Sequence, residues 1–477
     1  MNILDTFFTV AAQYATRTAI VEPSGRTITY EALVHESALV AENWSQRGII
    51  TGNRVLVAMP LGIDLYIALA ALWRLGAVAV FPEPALGLAG VRHAARTTSP
   101  QAFLGGGKYR LLRYIIPELW KVPAVLSVSH QGVFTDRVTD VSPDAPALIS
   151  FTSGSTGLPK AIVRSHRLLA EQNARVHEFL FPVHMHEIDL VAFPVFVIAN
   201  LSLGITSVLP NWNLRRHDKA DSARLLTYMK EQTVTRALIP PSICEKLVSQ
   251  SETLPLSTIF TGGGPVFPDI IERLQNLNSD MEIVLIYGST EAEPIAHISS
   301  RDIMPEDWQA MKKGAGLLAG PPIGRVQLMI RDDEIIVTGD HVNKGYLDSK
   351  QDISTKIELE GDIWHRTGDA GRLDADGRLW LLGRVDGKVG ATYPFMIETA
   401  ARFWPGVTRS ALIDINGKGI LVLEGDASHF SLWQRQAETM DGITDGLTLR
   451  HISAIPLDKR HRSKIDYVSL RKMLNAS

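Results

Sequence analysis

Cysteine is almost absent. Cys244 is the only one in 477 residues, which excludes an internal disulfide framework and any metal site built on several thiolates, and points to a reducing compartment. Neither sign of charge dominates: 48 Lys and Arg against 51 Asp and Glu leave a net charge of −3. No broad basic face for nucleic acid is implied, and no nucleic-acid partner is expected. The opening MNILDTFFTVAAQYATR has no basic run and no small-residue cleavage site, so it reads as a surface helix of a cytoplasmic protein. Internal repeats and low-complexity tracts are also missing. Long uncharged runs are scarce, and the exception is residues 190–210, LVAFPVFVIANLSLGITSVLP. Its length suits a bilayer, but Pro194, Asn200, Ser202, Gly204 and Thr206 interrupt it and no basic flank orients it. The expectation is a buried strand, loop and helix, with no membrane span.

What is present is the composition of a soluble enzyme, with 45% hydrophobic and 21% charged residues, in a chain long enough for two or three cores. Residues 19–30 read as two strands around Pro23-Ser24-Gly25, followed by a helix over 31–47. A strand over 54–60, a helix over 63–75 and a strand over 77–81 come next. Apolar strands separated by helices predict a parallel sheet covered on both faces. Residues 82–90 and Gly105-Gly106-Gly107 read as loops, 168–181 as a helix, and 235–241, 257–260, 282–286, 334–337 and 379–382 as strands.

The densest chemistry lies in residues 149–166, ISFTSGSTGLPKAIVRSH. A strand runs into Thr152, Ser153, Gly154, Ser155, Thr156 and Gly157, and Lys160 follows. Two glycines let backbone N–H groups close on an anion, hydroxyls add donors, and the lysine adds charge, which makes a polyphosphate cradle. The Walker spacing G-x-x-x-x-G-K-[ST] is not met, because the lysine stands three residues after Gly157.

The order Thr-Ser-Gly-Ser-Thr-Gly-x-Pro-Lys instead resembles the phosphate loop of the adenylate-forming superfamily, which includes acyl-CoA synthetases, luciferases and peptide-synthetase adenylation domains. Five further segments resemble that family in the family's order. Gly262-Gly263-Gly264 would lie along adenine. In Tyr287-Gly288-Ser289-Thr290-Glu291, the resemblance implies that Tyr287 stacks on adenine, Thr290 contacts the α-phosphate and Glu291 holds Mg²⁺, with Thr156 a second candidate ligand. Asp369 of Thr367-Gly368-Asp369 would accept from the ribose hydroxyls. Arg384 would lie near the ribose, and Asp386 would be the hinge. Lys464, preceding Ile465-Asp466, would bridge substrate carboxylate and α-phosphate, with Lys459 the alternative. Taken alone, Glu291 reads as an acid at a helix N-terminus and Asp369 as a turn residue.

The implied fold is α/β: a large N-terminal domain, residues 1–383, of parallel-rich sheets covered by helices, and a small mobile C-terminal α/β domain, 384–477. The implied activity is ATP-dependent activation of a carboxylic acid to an acyl-adenylate with release of pyrophosphate, then transfer to an acceptor, coenzyme A foremost. The uncharged run over 190–210 suits a fatty or otherwise apolar acid. One departure weakens coenzyme A as acceptor: where the synthetases carry a glycine beside the pantetheine tunnel, this chain reads Val389-Gly390-Ala391-Thr392-Tyr393. Residues 193–204 and the Asp-Lys-Arg-His-x-x-Lys-Ile ending at Ile465 resemble the β-lactone synthetases of olefin biosynthesis, whose substrate's own hydroxyl displaces AMP. A separate carrier protein as acceptor, and a nucleotide-binding protein without turnover, remain as alternatives, and the chain is expected to be a monomer or homodimer.

Overall fold

Alternation of short β-branched strands with apolar helices builds two largely parallel sheets. The computed structural model describes residues 1–83, 86–152, 159–184, 186–249, 253–440, 442–458 and 463–475. One sheet has eight strands in the spatial order Ala292–Ser299, Glu282–Ser289, Thr258–Gly262, Arg236–Leu238, Ile188–Val191, Thr206–Val208, Thr18–Val21 and Thr27–Thr29. It is parallel except at its two ends. The second has six strands, with Arg54–Ala58 and Val78–Phe81 inside and the antiparallel pair Pro146–Thr152 and Lys160–Ser165 at one edge. Side chains of both sheets share one core with the intervening helices. The helix Ile63–Arg74 is buried on nearly every side, as a helix enclosed by other layers must be.

A third, antiparallel sheet carries Asp362–Leu373 between Leu379–Arg384 and Glu334–Thr338. It packs on the eight-stranded sheet through Ile335, Val337 and Trp380. The C-terminal residues form a smaller three-stranded sheet, Val407–Ile415, Lys418–Gly425 and Thr448–Ile452. Strand alternation divides its apolar side chains between two faces: Leu412, Leu421 and Leu423 pack with Trp433 on one, and Ala411, Ile413 and Val422 with Leu470 on the other.

Three sequence expectations are corrected. Residues 190–210 end in a strand rather than a helix, since the helix Pro194–Leu201 lies between the strands Ile188–Val191 and Thr206–Val208. Asn200 turns inward there, donating to Ser207 Oγ at 3.0 Å. The stretch over 82–90 is not all loop, because the helix Gly87–Thr98 begins within it. The N-terminal helix, Leu4–Gln13, is not merely superficial: it buries Leu4, Phe7 and Ala11. Among the described residues no helix is long and apolar enough to cross a membrane.

Two buried polar groups give the fold measurable properties. Parallel register sets Arg236 beside Asp189, and the guanidinium donates to both carboxylate oxygens, at 2.8 and 2.9 Å, with both side chains buried. Removing one partner strands a charge in the core. Asp189→Ala is therefore expected to lower the free energy of unfolding by about 3–5 kcal/mol, read from the denaturant midpoint. His166 is fully buried and its Nδ1 accepts from the Ile3 amide at 3.2 Å. Burial, helped by the N-terminal ammonium, pushes its pKa from 6.5 down to about 4. The unfolded chain takes up this proton near 6.5 and the folded chain only near 4, so stability falls as pH is lowered through that window. His166→Gln is expected to flatten that slope by up to about 3 kcal/mol, measured by denaturation at a series of pH values.

Candidate active site

The carboxyl end of the strand Thr258–Gly262 opens the site. A Cβ on Gly262 would stand 2.4 Å from the Ile286 carbonyl oxygen of the neighbouring strand, so only glycine permits this sheet spacing. Gly263 has φ +75°, a left-handed conformation that turns the chain back. At Gly264 a Cβ would meet Ser463 Oγ at 2.6 Å and Lys464 Cγ at 3.8 Å. The segment that carries Lys464 therefore lies directly on this turn. Ser463 and Lys464 are held in place there, because Asp458 Oδ1 accepts from their amides, at 3.2 and 3.0 Å, and Leu457 bridges Ile465.

Next in the sheet, Glu282–Ser289 pairs antiparallel with Ala292–Ser299, and the pairing of Ser289 with Ala292 leaves Thr290 and Glu291 as the turn. Glu291 is thus a hairpin residue, not a helix N-terminal acid. Arg164 Nη2 donates to the Thr290 carbonyl at 2.8 Å and the Asn343 amide to that of Glu291 at 2.8 Å, which fixes the turn. Glu291 Oε1 accepts from Tyr346 Oη at 2.8 Å and Thr152 Oγ1 at 3.4 Å. Burial opposes its ionisation, but His365, the Tyr346 hydrogen bond, its own amide and Lys356 outweigh burial and hold its pKa below the ordinary carboxylate value. Lys160 Nζ and Lys356 Nζ lie 5.2 and 5.7 Å from the Tyr346 ring centre. Burial lowers Lys356 to about 8 and His365 to about 4, with the Glu291 carboxylate opposing the fall at both. His365 Nδ1 lies 3.2 Å from the Thr355 carbonyl, a pairing that requires the proton on Nδ1.

A second polar group forms around Asp369, which lies within the strand Asp362–Leu373 rather than in a turn. Tyr287 Oη donates to its Oδ2 at 2.8 Å, and Arg384 Nη1 donates to its Oδ1 at 3.0 Å and to the Thr367 carbonyl at 2.9 Å. Burial and the adjacent Asp369 raise the Tyr287 pKa well above its usual value, so the hydroxyl keeps its proton. Gly368 makes room, since a Cβ there would stand 2.4 Å from Arg384 Nη2.

One cleft of about 2160 Å³ joins these groups. Thr152, Lys160, Gly263, Gly264, Tyr287, Gly288, Ser289, Thr290, Glu291, Asp369, Arg384, Asp386 and Lys464 all line it, while Gly262 is buried behind them. Ser153, Gly154, Ser155, Thr156, Gly157 and Lys459 lie outside the described residues. Asp386 is exposed in the short 3-10 turn Val385–Gly387. Phe193, Ile198, Leu69 and Trp212 give the cleft an apolar lining, and the Phe193 ring lies against the Gly263 turn. Cys244 is buried, its Sγ 3.6 Å from Thr261 Oγ1, and takes no part in the cleft lining.

The sequence reading missed Tyr346, Lys356 and His365. Strand periodicity offered a signal for His365, two residues before Thr367 and four before Asp369 on the same strand. Glu398 was also passed over. It is fully buried, accepts from the Leu412 amide at 2.7 Å and Tyr467 Oη at 2.9 Å, and burial pushes its pKa up to about 7. It thereby ties the helix Pro394–Ala401 to the chain three residues past Lys464.

A polar cleft at the carboxyl ends of parallel strands, with paired hydroxyl, carboxylate and guanidinium at one end and an apolar wall beyond, defines a nucleotide-handling enzyme that also takes an organic substrate. Residues 7–347 match the AMP-binding enzyme family, and the chain belongs to it. It is an adenylate-forming enzyme. It is 28% identical to an olefin beta-lactone synthetase of Xanthomonas campestris pv. campestris, covering 92% of this chain and 89% of that protein. Identity to a 2-succinylbenzoate–CoA ligase of Enterococcus faecalis is 26%, over 73% of each chain. The fold matches that of ATP-bound MatB from Rhodopseudomonas palustris with a TM-score of 0.81 at 20% identity, over 99% of both chains.

Proposed function

We propose that this enzyme adenylates an apolar β-hydroxy carboxylic acid and that the substrate's own hydroxyl then displaces AMP, closing a β-lactone. The observation that carries the adenylation half is the single cleft in which the Tyr287–Asp369–Arg384 group, the Glu291 turn and the Lys464 loop all meet. Asp369 would accept from ribose hydroxyls, the Tyr287 ring would lie against adenine, and Thr290 would meet the α-phosphate. A substrate carboxylate oxygen attacks the α-phosphorus, the bond to the bridging oxygen breaks, and pyrophosphate leaves. Lys160 and Lys464 would stabilise the charge that builds on the phosphate oxygens, with the cradle over Ser153–Gly157 supplying further donors.

The residues fit a magnesium ion. Glu291 is held ionised, and the hydrogen bonds it accepts from described side chains both fall on Oε1. Among the described residues no cluster of three or more acidic, histidine or cysteine side chains forms a closed metal site. The cation would therefore rest on one carboxylate, with substrate phosphates completing its shell. When bound, it would neutralise charge on the phosphates.

Support for the internal acceptor comes from two sides. The likeness to the lactone synthetase covers 92% of the chain, against 73–84% for the CoA ligases. The Lys-x-x-Gly pattern that the resemblance implies beside a pantetheine tunnel is also not kept, since Ala391 stands three residues after Lys388 and the glycine, Gly390, is one place early. In the second step the hydroxyl oxygen bonds to the acyl carbon, the acyl–phosphate bond breaks and AMP leaves with the hydroxyl proton released. Coenzyme A is the second reading, favoured by that CoA-ligase likeness. In either case Asp386 would act as the pivot between residues 1–383 and 384–477.

AMP release with ATP, Mg²⁺ and a panel of apolar acids, without coenzyme A, tests both readings. Sustained turnover on β-hydroxy acids, with a lactone identified by mass analysis, is the expected result; a single burst restored to turnover by coenzyme A would establish the thioester instead. Lys464→Ala is expected to cut adenylation by at least roughly a hundredfold, the scale of one lost transition-state donor, while leaving supplied acyl-adenylate reactive. Asp386→Pro is expected to spare adenylation and slow the second step, because proline stiffens the pivot; separate assays of the half-reactions decide both.

A further inference from the structure

Residues 107–121, GKYRLLRYIIPELWK, fold into three short helical pieces, Gly107–Leu111, Leu112–Ile115 and Pro117–Trp120. Ile116, Leu119 and Val122 anchor the segment in the core beside the six-stranded sheet. The anchoring turns other large side chains outward: Leu111 is 58%, Tyr114 74%, Ile115 59% and Trp120 62% exposed. Four such residues fall within ten positions, a density of exposed apolar side chain that a soluble surface does not ordinarily leave uncovered.

Charge gathers on the same segment. Lys108, Arg110, Arg113 and Lys121 are its cations, and Glu118 is its only acid. Glu118 is paired with both Arg92 and Arg96 of the adjoining helix Gly87–Thr98. The local balance is therefore strongly positive in a chain whose net charge is −3. Exposed Trp, Tyr and Leu among Lys and Arg is the chemistry of a lipid–water boundary, where rings sit at headgroup depth, long basic chains reach the headgroups, and anionic lipids add attraction. Position agrees with composition, since Lys108 and Tyr109 line the rim of the active-site cleft.

We propose that residues 107–121 dock this enzyme onto an anionic bilayer surface without spanning it. The docking claim is independent of the reaction; only its use, delivery of an apolar acid from the leaflet to the adjacent cleft, rests on the function proposed above.

The test is sedimentation of the full chain with phosphatidylcholine vesicles containing phosphatidylglycerol, and with phosphatidylcholine vesicles alone, at low and high salt. Binding to the anionic vesicles that weakens with salt is expected. Tyr114→Ser with Trp120→Ser should reduce it by roughly tenfold or more. Arg110→Gln and Lys121→Gln should each reduce it about fivefold. Circular dichroism and unchanged AMP release from a short water-soluble acid would confirm that the double variant is folded. Absence of binding to anionic vesicles, or binding indifferent to the double substitution, would overturn the proposal. So would a concentration-dependent dimer in light scattering that the double substitution dissolves, because the face would then belong to a second copy of the chain.

Discussion

A carboxylate kept ionised inside the protein is the constraint on which this site depends. Glu291 is largely removed from water, and an isolated charge there would take up a proton. The fold prevents this by convergence. Tyr346, Lys356 and His365 come from the antiparallel sheet and the loops beside it, Thr152 from the edge of the six-stranded sheet, and the carboxylate itself from a hairpin of the eight-stranded sheet. Three sheets must therefore come together for this buried side chain to keep the charge it already has in water. Folding and competence for phosphoryl chemistry are linked through that group.

The opposite end of the cleft uses a different balance. Asp369 is flanked by a phenol and a guanidinium, each offering a hydrogen to a different oxygen. A diol arriving there would find a carboxylate already oriented, so little rearrangement is needed on binding. Cross-strand register of Asp369 with Arg384 supplies this orientation, and Gly368 removes the one Cβ that would block it.

Much of this was legible in the sequence because its signals are local. Strand-then-glycine spacing located Gly262–Gly264, and the strand leading into Tyr287 placed Glu291 at the end of a strand. The secondary structure of that turn was less legible: an acid after a strand reads equally as a helix start, and only the antiparallel return of Ala292–Ser299 decides it. Tyr346 and Lys356 carried no local signal at all. Their role comes from contact with a residue more than fifty positions away, which no periodicity reports. Glu398 likewise gave no local sign, because its burial and its bond to Tyr467 depend on how a helix lands on a sheet. The same applies to residues 190–210, where the inward-facing Asn200 and the final strand follow from packing against Ser207 rather than from composition.

The crowding at Gly262 reaches beyond its own turn. Since a single added carbon there would collide with a neighbouring strand, the nucleotide end of the cleft is part of the sheet's own spacing and has almost no freedom to drift. The apolar lining is built differently, with Ile198 carried on one short helix, Pro194–Leu201, whose side chains the strand spacing does not dictate. Descent from a common ancestor can therefore exchange one end of the cleft while the other stands still. Divergence among such enzymes would be written in what they activate, and hardly at all in how.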